Sequence, residues 1–118
     1  MLKTLVTTAL SIVLHVLLGW GWTLGAGIVG GLWAGRTGWL VGGAGVGAGW
    51  TAGVVYSAYV APASTRILLD TLAQLFGSAL GNIPDSLIVA VTILIGAVLG
   101  MLGGLIGTQL RALVRTST

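Results

Sequence analysis

The sequence predicts an all-α integral membrane protein with three transmembrane helices. Of its 118 residues, 56% are hydrophobic, 6% are charged and 21 are glycine. A typical soluble domain carries about 25% charged residues, and it needs that polar surface to stay dispersed. The mean hydropathy of +1.08 fits lipid as the solvent. We expect a single membrane domain over residues 1–118.

The first apolar run predicts helix A over about residues 4–34. A bilayer core of about 30 Å takes roughly 20 residues of helix, so a helix of this length has to tilt, protrude or bend. Gly19, Gly21 and Gly25 mark the place for a bend. We expect one crossing here and reject two, because the run holds no polar turn and each crossing would have too few residues.

A tight turn over residues 35–38 separates helix A from helix B, which is predicted over about residues 39–60. Two glycines make the backbone of this turn permissive, and an arginine marks water or lipid headgroups. Around such a hairpin, two positions whose numbers add to about 73 lie at the same depth in the membrane, so Trp22 is expected to lie level with Trp50 or Thr51. Aromatic and basic residues anchor helices at membrane interfaces. The residues expected there are Trp33, Arg36, Trp39, Tyr56, Tyr59, Arg111 and Arg115.

A break that contains a proline, at residues 61–65, leads into a predicted amphipathic helix over about residues 64–80. Its polar residues recur every four positions, which favours a helix lying along the membrane surface. After a second turn over residues 81–85, helix C is predicted over about residues 86–110. The polar stripe of the amphipathic helix consists of Arg66, Asp70, Gln74 and Ser78.

Three crossings would put the two chain termini on opposite sides of the membrane. The side of the C-terminus would carry Arg36, Arg111 and Arg115, and the other side would carry Lys3 and Arg66. Basic residues concentrate on the cytoplasmic side of membrane proteins. We therefore expect the N-terminus outside and the C-terminus inside, in a prokaryotic cytoplasmic membrane.

Glycine recurs at intervals of four residues in all three predicted spans, and residues four apart lie on one helical face. Such a face has no side chains and lets another helix approach closely. These ladders predict tight helix packing, within the chain or with partner helices. The ladder glycines are Gly27, Gly31 and Gly35 in helix A, Gly45, Gly49 and Gly53 in helix B, and Gly96, Gly100 and Gly104 in helix C.

Three tryptophans and one histidine are predicted to lie inside the spans, where these residue types are uncommon. Trp20, Trp22 and Trp50 can fill space that neighbouring glycines open, or contact a pigment, quinone or lipid. His15, with Ser11 before it and the tryptophans after it, resembles the pigment-binding segment of light-harvesting polypeptides. That resemblance implies a haem or chlorophyll ligand at His15. The alternative is a histidine bonded to a backbone carbonyl or placed near the membrane surface, and the sequence itself requires no cofactor.

Several activities lack the residues that they need. No carboxylate lies in a predicted span, which argues against proton-coupled transport and against a rotor-ring subunit. The chain has no cysteine and no acid–base pair, nucleophile–histidine pair or metal-ligand cluster, so we expect no enzymatic activity and no metal site. Five scattered basic residues are too few for a nucleic-acid surface and are better explained as orientation signals.

The remaining functions are those that a small helical membrane protein performs by packing. We expect an accessory or scaffold subunit of a larger membrane complex, contacting partner helices, lipids or cofactors through its glycine faces. The alternative is a self-assembling homo-oligomeric pore, because phage holins are similar in size, three-helix plan, topology and basic C-terminus. In either case the protein is expected to be oligomeric. The hydroxyl residues available to line a pore are Thr7, Thr8, Ser11, Thr23, Thr51, Ser57 and Thr92.

Overall fold

The computed structural model describes residues 1–80 and 84–117, and no strand occurs among them. Two 3-10 turns, Trp20–Trp22 and Gly35–Thr37, join the first three helices. The predicted all-α class is confirmed. The helices are α1 (Leu2–Leu18), α2 (Thr23–Ala34), α3 (Gly38–Val60), α4 (Pro62–Leu80) and α5 (Asp85–Ser117).

The stretch predicted as helix A is a hairpin of two helices. The chain reverses at Gly19, whose φ of 101° belongs to glycine because a Cβ atom is strained there. Leu14 of α1 lies beside Gly25 of α2, and Thr7 lies beside Gly30, so the two helices are antiparallel. The expectation of a single helix over residues 4–34 is wrong, because this turn is built from glycine and tryptophan and lacks the polar residues that would have marked it.

Helix α3 runs antiparallel to α2 and parallel to α1. The indole N–H of Trp50 donates to Thr23 Oγ1 at 3.4 Å, which fits the predicted register of the α2–α3 hairpin. On its other side α3 places Gly45 against Thr7 and Gly49 against Ser11. The three helices therefore form one continuous antiparallel up–down–up unit.

Helix α5 packs on α2 and α3 from the side opposite α1, and α1 and α5 do not contact each other in the described chain. It has 33 residues and extends to Ser117, past the predicted end near residue 110. Its segment Ser86–Ser117 is the one described helix that is both long enough and apolar enough to cross a membrane, whereas α1 is apolar but shorter. Three membrane-spanning helices are not supported. Helix α2 has 12 residues, and the nearly neutral hydropathy of glycine lowers the mean hydropathy of α3.

Helix α4 contacts α3 and α5 and no other described helix. It follows α3 after Ala61, and Thr65 Oγ1 donates to the Ser57 carbonyl oxygen at 2.9 Å across this junction. Its polar residues Arg66, Asp70 and Gln74 are exposed. Residues 81–83 of the predicted second turn lie outside the described residues.

The bundle buries small and hydroxyl-bearing residues and exposes large apolar ones. Among the described residues the buried hydrophobic side chains are Ala26, Val46 and Ile88. Most other buried positions are glycine, and Thr7 and Thr23 are also buried. Long apolar side chains on every described helix are exposed. This distribution is the reverse of the one in a soluble domain.

Candidate functional site

Helix α5 lies against α2 and α3 along a seam of glycine residues. A Cβ atom on Gly27 would lie 2.8 Å from the Gly100 carbonyl oxygen, and one on Gly31 would overlap the carbonyl oxygen of Gly104. A Cβ atom on Gly42 of α3 would overlap the Gly100 carbonyl oxygen. The helices thus meet backbone to backbone, as small residues allow in membrane proteins. The glycine seam consists of Gly27, Gly31, Gly38, Gly42, Gly100, Gly103, Gly104 and Gly107.

The predicted ladders face several different neighbours. Gly45 and Gly49 of α3 face α1, where added Cβ atoms would lie 2.7 Å from Thr7 Cβ and 2.9 Å from Ser11 Oγ. Gly96 faces the Trp50 ring, and Gly35 lies in the turn beside Arg111. No described atom lies within 4 Å of a Cβ atom placed on Gly53. Most of the glycine faces that were predicted to contact other helices are therefore covered by helices of the same chain.

Hydroxyl groups lie inside the α1–α2–α3 unit and bond to their own backbone. Thr7 Oγ1 donates to the Lys3 carbonyl oxygen at 2.8 Å, and Thr23 Oγ1 donates to the Trp20 carbonyl oxygen at 2.6 Å. Ser11 is 1% exposed, and its Oγ has no hydrogen-bond partner in the described part of the chain. The hydroxyls of Thr7, Ser11 and Thr23 thus face helix contacts within one chain.

Four basic residues, Lys3, Arg36, Arg111 and Arg115, lie at one end of the bundle, here called the basic end. Lys3 Nζ donates to the Trp33 carbonyl oxygen at 3.4 Å and lies 6.0 Å from the Trp33 ring centroid. Arg111 Nη1 donates to the same carbonyl oxygen at 3.0 Å. This carbonyl belongs to the last turn of α2, the negative end of that helix dipole.

These contacts correct the predicted placement of the termini. Lys3 was expected on the side opposite Arg36 and Arg111, and instead it shares the basic end with them. The chain reversal at Gly19 is the reason, because it adds one more pass along the bundle before Trp33. Both ends of the described chain consequently lie at the same end of the bundle.

A cleft of about 460 Å³ opens at the basic end, between the α2–α3 turn and the last turns of α5. Gly35 has a φ of 67°, and a Cβ atom there would lie 2.9 Å from Arg111 Nη1. Thr108 Oγ1 donates to the Gly35 carbonyl oxygen at 2.8 Å, which fastens the turn to α5. The cleft is lined by Ala34, Gly35, Arg36, Thr108, Arg111, Ala112 and Arg115.

The opposite end of the bundle is rich in aromatic residues. Because α1 ends at Leu18, His15 occupies its last turn, and Trp20 and Trp22 occupy the hairpin tip with exposed fractions of 62% and 56%. The His15 ring meets the Trp50 ring edge to face, with centroids 5.7 Å apart. The sequence placed His15, Trp20 and Trp22 deep within helix A, and the structure instead places them at this end of the bundle. The exposed Tyr56 and Tyr59 of α3, predicted as anchors, belong to this aromatic end.

Ligand chemistry at His15 remains a prediction from sequence. In the described part of the chain no group of three or more His, Cys, Asp and Glu residues is arranged to hold a metal ion. The contact recorded for the imidazole is Trp50. A pigment or haem at His15 would have to approach from outside the bundle, since the histidine is exposed.

The predicted ladders left out two sets of small residues. Gly38 and Gly42 belong to the glycine seam, and their spacing of four residues was a signal that could have found them. Ala44, Ala48 and Ala52 follow the same spacing on α3, and all three are exposed. The alanines form a smooth outer face on α3, here called the alanine face.

Comparison with known proteins adds nothing to this geometry. No protein-family model matches the chain, and searches of curated proteins and of solved structures found no match. The function therefore has to be argued from the helices, their two ends and their outer faces.

Proposed function

We propose that this chain is a small membrane-embedded helical subunit, which serves as an accessory or scaffold component of a larger integral membrane assembly. The observation that carries the proposal is the inverted distribution of residues, with glycine and hydroxyl groups inside and long apolar side chains outside. In water such a surface would aggregate. In lipid it is compatible with the solvent, and close backbone packing holds the helices together.

The dimensions of the bundle support embedding of α1, α2, α3 and α5 as one unit. The helical rise separates Gly38 from Ser57 by about 29 Å, close to the hydrocarbon thickness of about 30 Å. Trp33 and Trp39 flank the basic end, and Trp20 and Trp22 lie at the other. Tryptophan favours both membrane interfaces. A helix as short as α2 fits this plan because the aromatic hairpin tip continues it towards the interface.

The charges support an orientation with the basic end in the cytoplasm. Four of the five basic residues lie there, and positive charge near the ends of spans favours the cytoplasmic side. Both termini would then be cytoplasmic. This replaces the N-outside, C-inside arrangement expected from three crossings.

The alanine face of α3 supports a role in assembly. Ala44, Ala48 and Ala52 present no long side chain, so a partner helix can approach α3 closely there. The outer face of α2 differs, because Val29, Leu32 and Trp33 project from it. A partner helix is therefore expected on α3, and lipid chains are expected on α2.

A homo-oligomeric pore has less support. Thr7, Ser11 and Thr23 are buried between helices of one chain. Their hydroxyl groups therefore cannot line a pore formed between several copies of the chain. Thr51 remains exposed on α3, but its hydroxyl donates to the Gly47 carbonyl oxygen at 2.9 Å. The other hydroxyl residues considered for a pore lining are the exposed Ser57 and the half-buried Thr8 and Thr92, which lie on three different helices. Together with Thr51 they do not make the continuous polar stripe that a water-filled pore requires.

The test is extraction of the tagged chain from its native membrane in mild detergent, followed by affinity capture and mass spectrometry. We expect stoichiometric recovery with other integral membrane proteins, and loss of these partners in the Ala48→Phe variant. Ala9→Phe is the matched control, because Ala9 is an exposed alanine on α1 outside the alanine face. Recovery of the wild-type chain alone, as a homo-oligomer with measurable conductance, would replace the scaffold proposal with the pore.

A further inference from the structure

We propose that the cleft at the basic end binds the phosphate of an anionic phospholipid headgroup, in the leaflet that faces this end. The inference rests on the membrane embedding proposed above. It concerns a binding site for lipid and does not depend on whether a protein partner covers the alanine face.

The donors in the cleft suit a phosphate group. Arg36 is exposed and lines the cleft together with Arg111 and with Arg115, which lies one turn further along α5. The hydrogen bonds that Arg111 makes to the carbonyl oxygens of Leu32 and Trp33 both leave from Nη1, so they fix the guanidinium of a residue that lines the cleft. Guanidinium groups bind phosphate oxygens in a bidentate manner.

The described lining of the cleft contains three arginines and no acidic side chain. The sequence contains two acidic residues, Asp70 in α4 and Asp85 at the start of α5, and both of these helices begin at the aromatic end. No carboxylate of the described side chains therefore lies beside Arg36 and Arg111. The positive potential of these guanidinium groups favours an anion at the cleft.

The position of the cleft favours a lipid over a soluble anion. Trp33 and Trp39 are each about 40% exposed on either side of the α2–α3 turn, which is the depth of lipid headgroups in the proposed embedding. Leu40 and Leu113 expose apolar surface at the same end, where acyl chains would lie. The volume of about 460 Å³ is in the range of small-molecule pockets.

The experiment measures lipid binding to the purified full chain after delipidation in detergent. Native mass spectrometry compares phosphatidylglycerol with phosphatidylcholine of identical acyl chains, and the anionic lipid is expected to bind more tightly. Arg36→Gln should weaken phosphatidylglycerol binding about fivefold, the effect of one basic residue near a lipid surface. Arg66→Gln removes the same charge from α4 and should leave the affinity unchanged.

Arg111→Gln is a second variant and should weaken binding in the same direction. Because Arg111 also donates hydrogen bonds to the end of α2, the helicity of the Arg111→Gln variant is checked by circular dichroism. If this variant unfolds, Arg36→Gln decides the result. Equal binding of the two lipids, or an equal loss in Arg66→Gln, would overturn the proposal. Displacement of phosphatidylglycerol by millimolar inorganic phosphate would also overturn it, since the site would then be one for free phosphate.

Discussion

Gly31 of α2 and Gly104 of α5 meet backbone to backbone, and a Cβ atom on Gly31 would lie 2.9 Å from the Gly104 Cα atom. On its other side Gly104 contacts the Gly38 carbonyl oxygen of α3. One glycine of α5 therefore lies against both central helices at once. Each glycine in a helix costs about 1 kcal/mol relative to alanine, and close approach with Cα–H···O contacts offsets that cost.

Gly31→Ala or Gly104→Ala should destabilise the bundle. The added methyl group has to push α5 away from α2 or α3, and overpacking of this kind costs about 1–3 kcal/mol. The measurement is the free energy of unfolding in mixed micelles, followed by circular dichroism during titration with dodecyl sulfate.

Gly53→Ala is the matched control for this measurement. It belongs to the same ladder as Gly49, yet no described atom lies within 4 Å of its added Cβ atom. The higher helix propensity of alanine should keep stability unchanged or raise it by up to about 1 kcal/mol. A loss in Gly53→Ala as large as that in Gly31→Ala would show that the glycine seam does not determine stability.

The sequence predicted the local features that depend on spacing and on turn residues. Four-residue spacing placed Gly27, Gly31, Gly100 and Gly104 on common faces because helical geometry determines which residues share a face. The turn near Arg36 was predictable because a charge between two glycines interrupts an apolar run.

The chain reversal at Gly19 was not predictable from these signals. Its turn residues are glycine and tryptophan, which also occur inside membrane helices. Because the chain contains 21 glycines, a glycine at residue 19 is no signal for a turn. Missing this reversal also made two other predictions wrong. With the reversal missed, Lys3 was assigned to the wrong end, and His15 was assigned to the middle of a long helix instead of the end of a short one.

Trp50→Ala should destabilise the bundle far more than Trp20→Ala. The Trp50 ring covers Gly96 of α5 and contacts His15 of α1, so it joins helices that do not touch each other directly. Removal of a packed tryptophan ring costs about 3 kcal/mol or more, whereas the Trp20 ring is largely exposed. Unfolding in detergent measures both variants, and similar losses would mean that Trp50 does not join α1 to α5.

Ser11→Ala should leave stability unchanged or raise it. The Ser11 hydroxyl is buried without a described partner, and an unsatisfied buried hydroxyl costs about 1–3 kcal/mol. Thr7→Val is the comparison, because the Thr7 hydroxyl is hydrogen-bonded to the Lys3 carbonyl oxygen and its loss should cost about 1 kcal/mol. A destabilised Ser11→Ala variant would indicate that the Ser11 hydroxyl has a partner after all, such as a bound water.

The two chain termini should be labelled from the same side of the membrane. The chain has no cysteine, so single-cysteine variants report without background. Leu2→Cys, Thr37→Cys and Thr116→Cys should react with a membrane-impermeant maleimide from the cytoplasmic side, because their positions surround the basic end.

Ser64→Cys is the opposite marker, since it lies where α4 follows the far end of α3. This cysteine should react from the side opposite the cytoplasm. The comparison is made by labelling inverted and right-side-out vesicles in parallel. Labelling of Leu2→Cys and Thr116→Cys from opposite sides would favour an odd number of crossings and would contradict the embedding proposed for the α1–α2 hairpin. Labelling of all four positions from one side would instead mean that the bundle does not span the bilayer, and the apolar surface would then need a different partner.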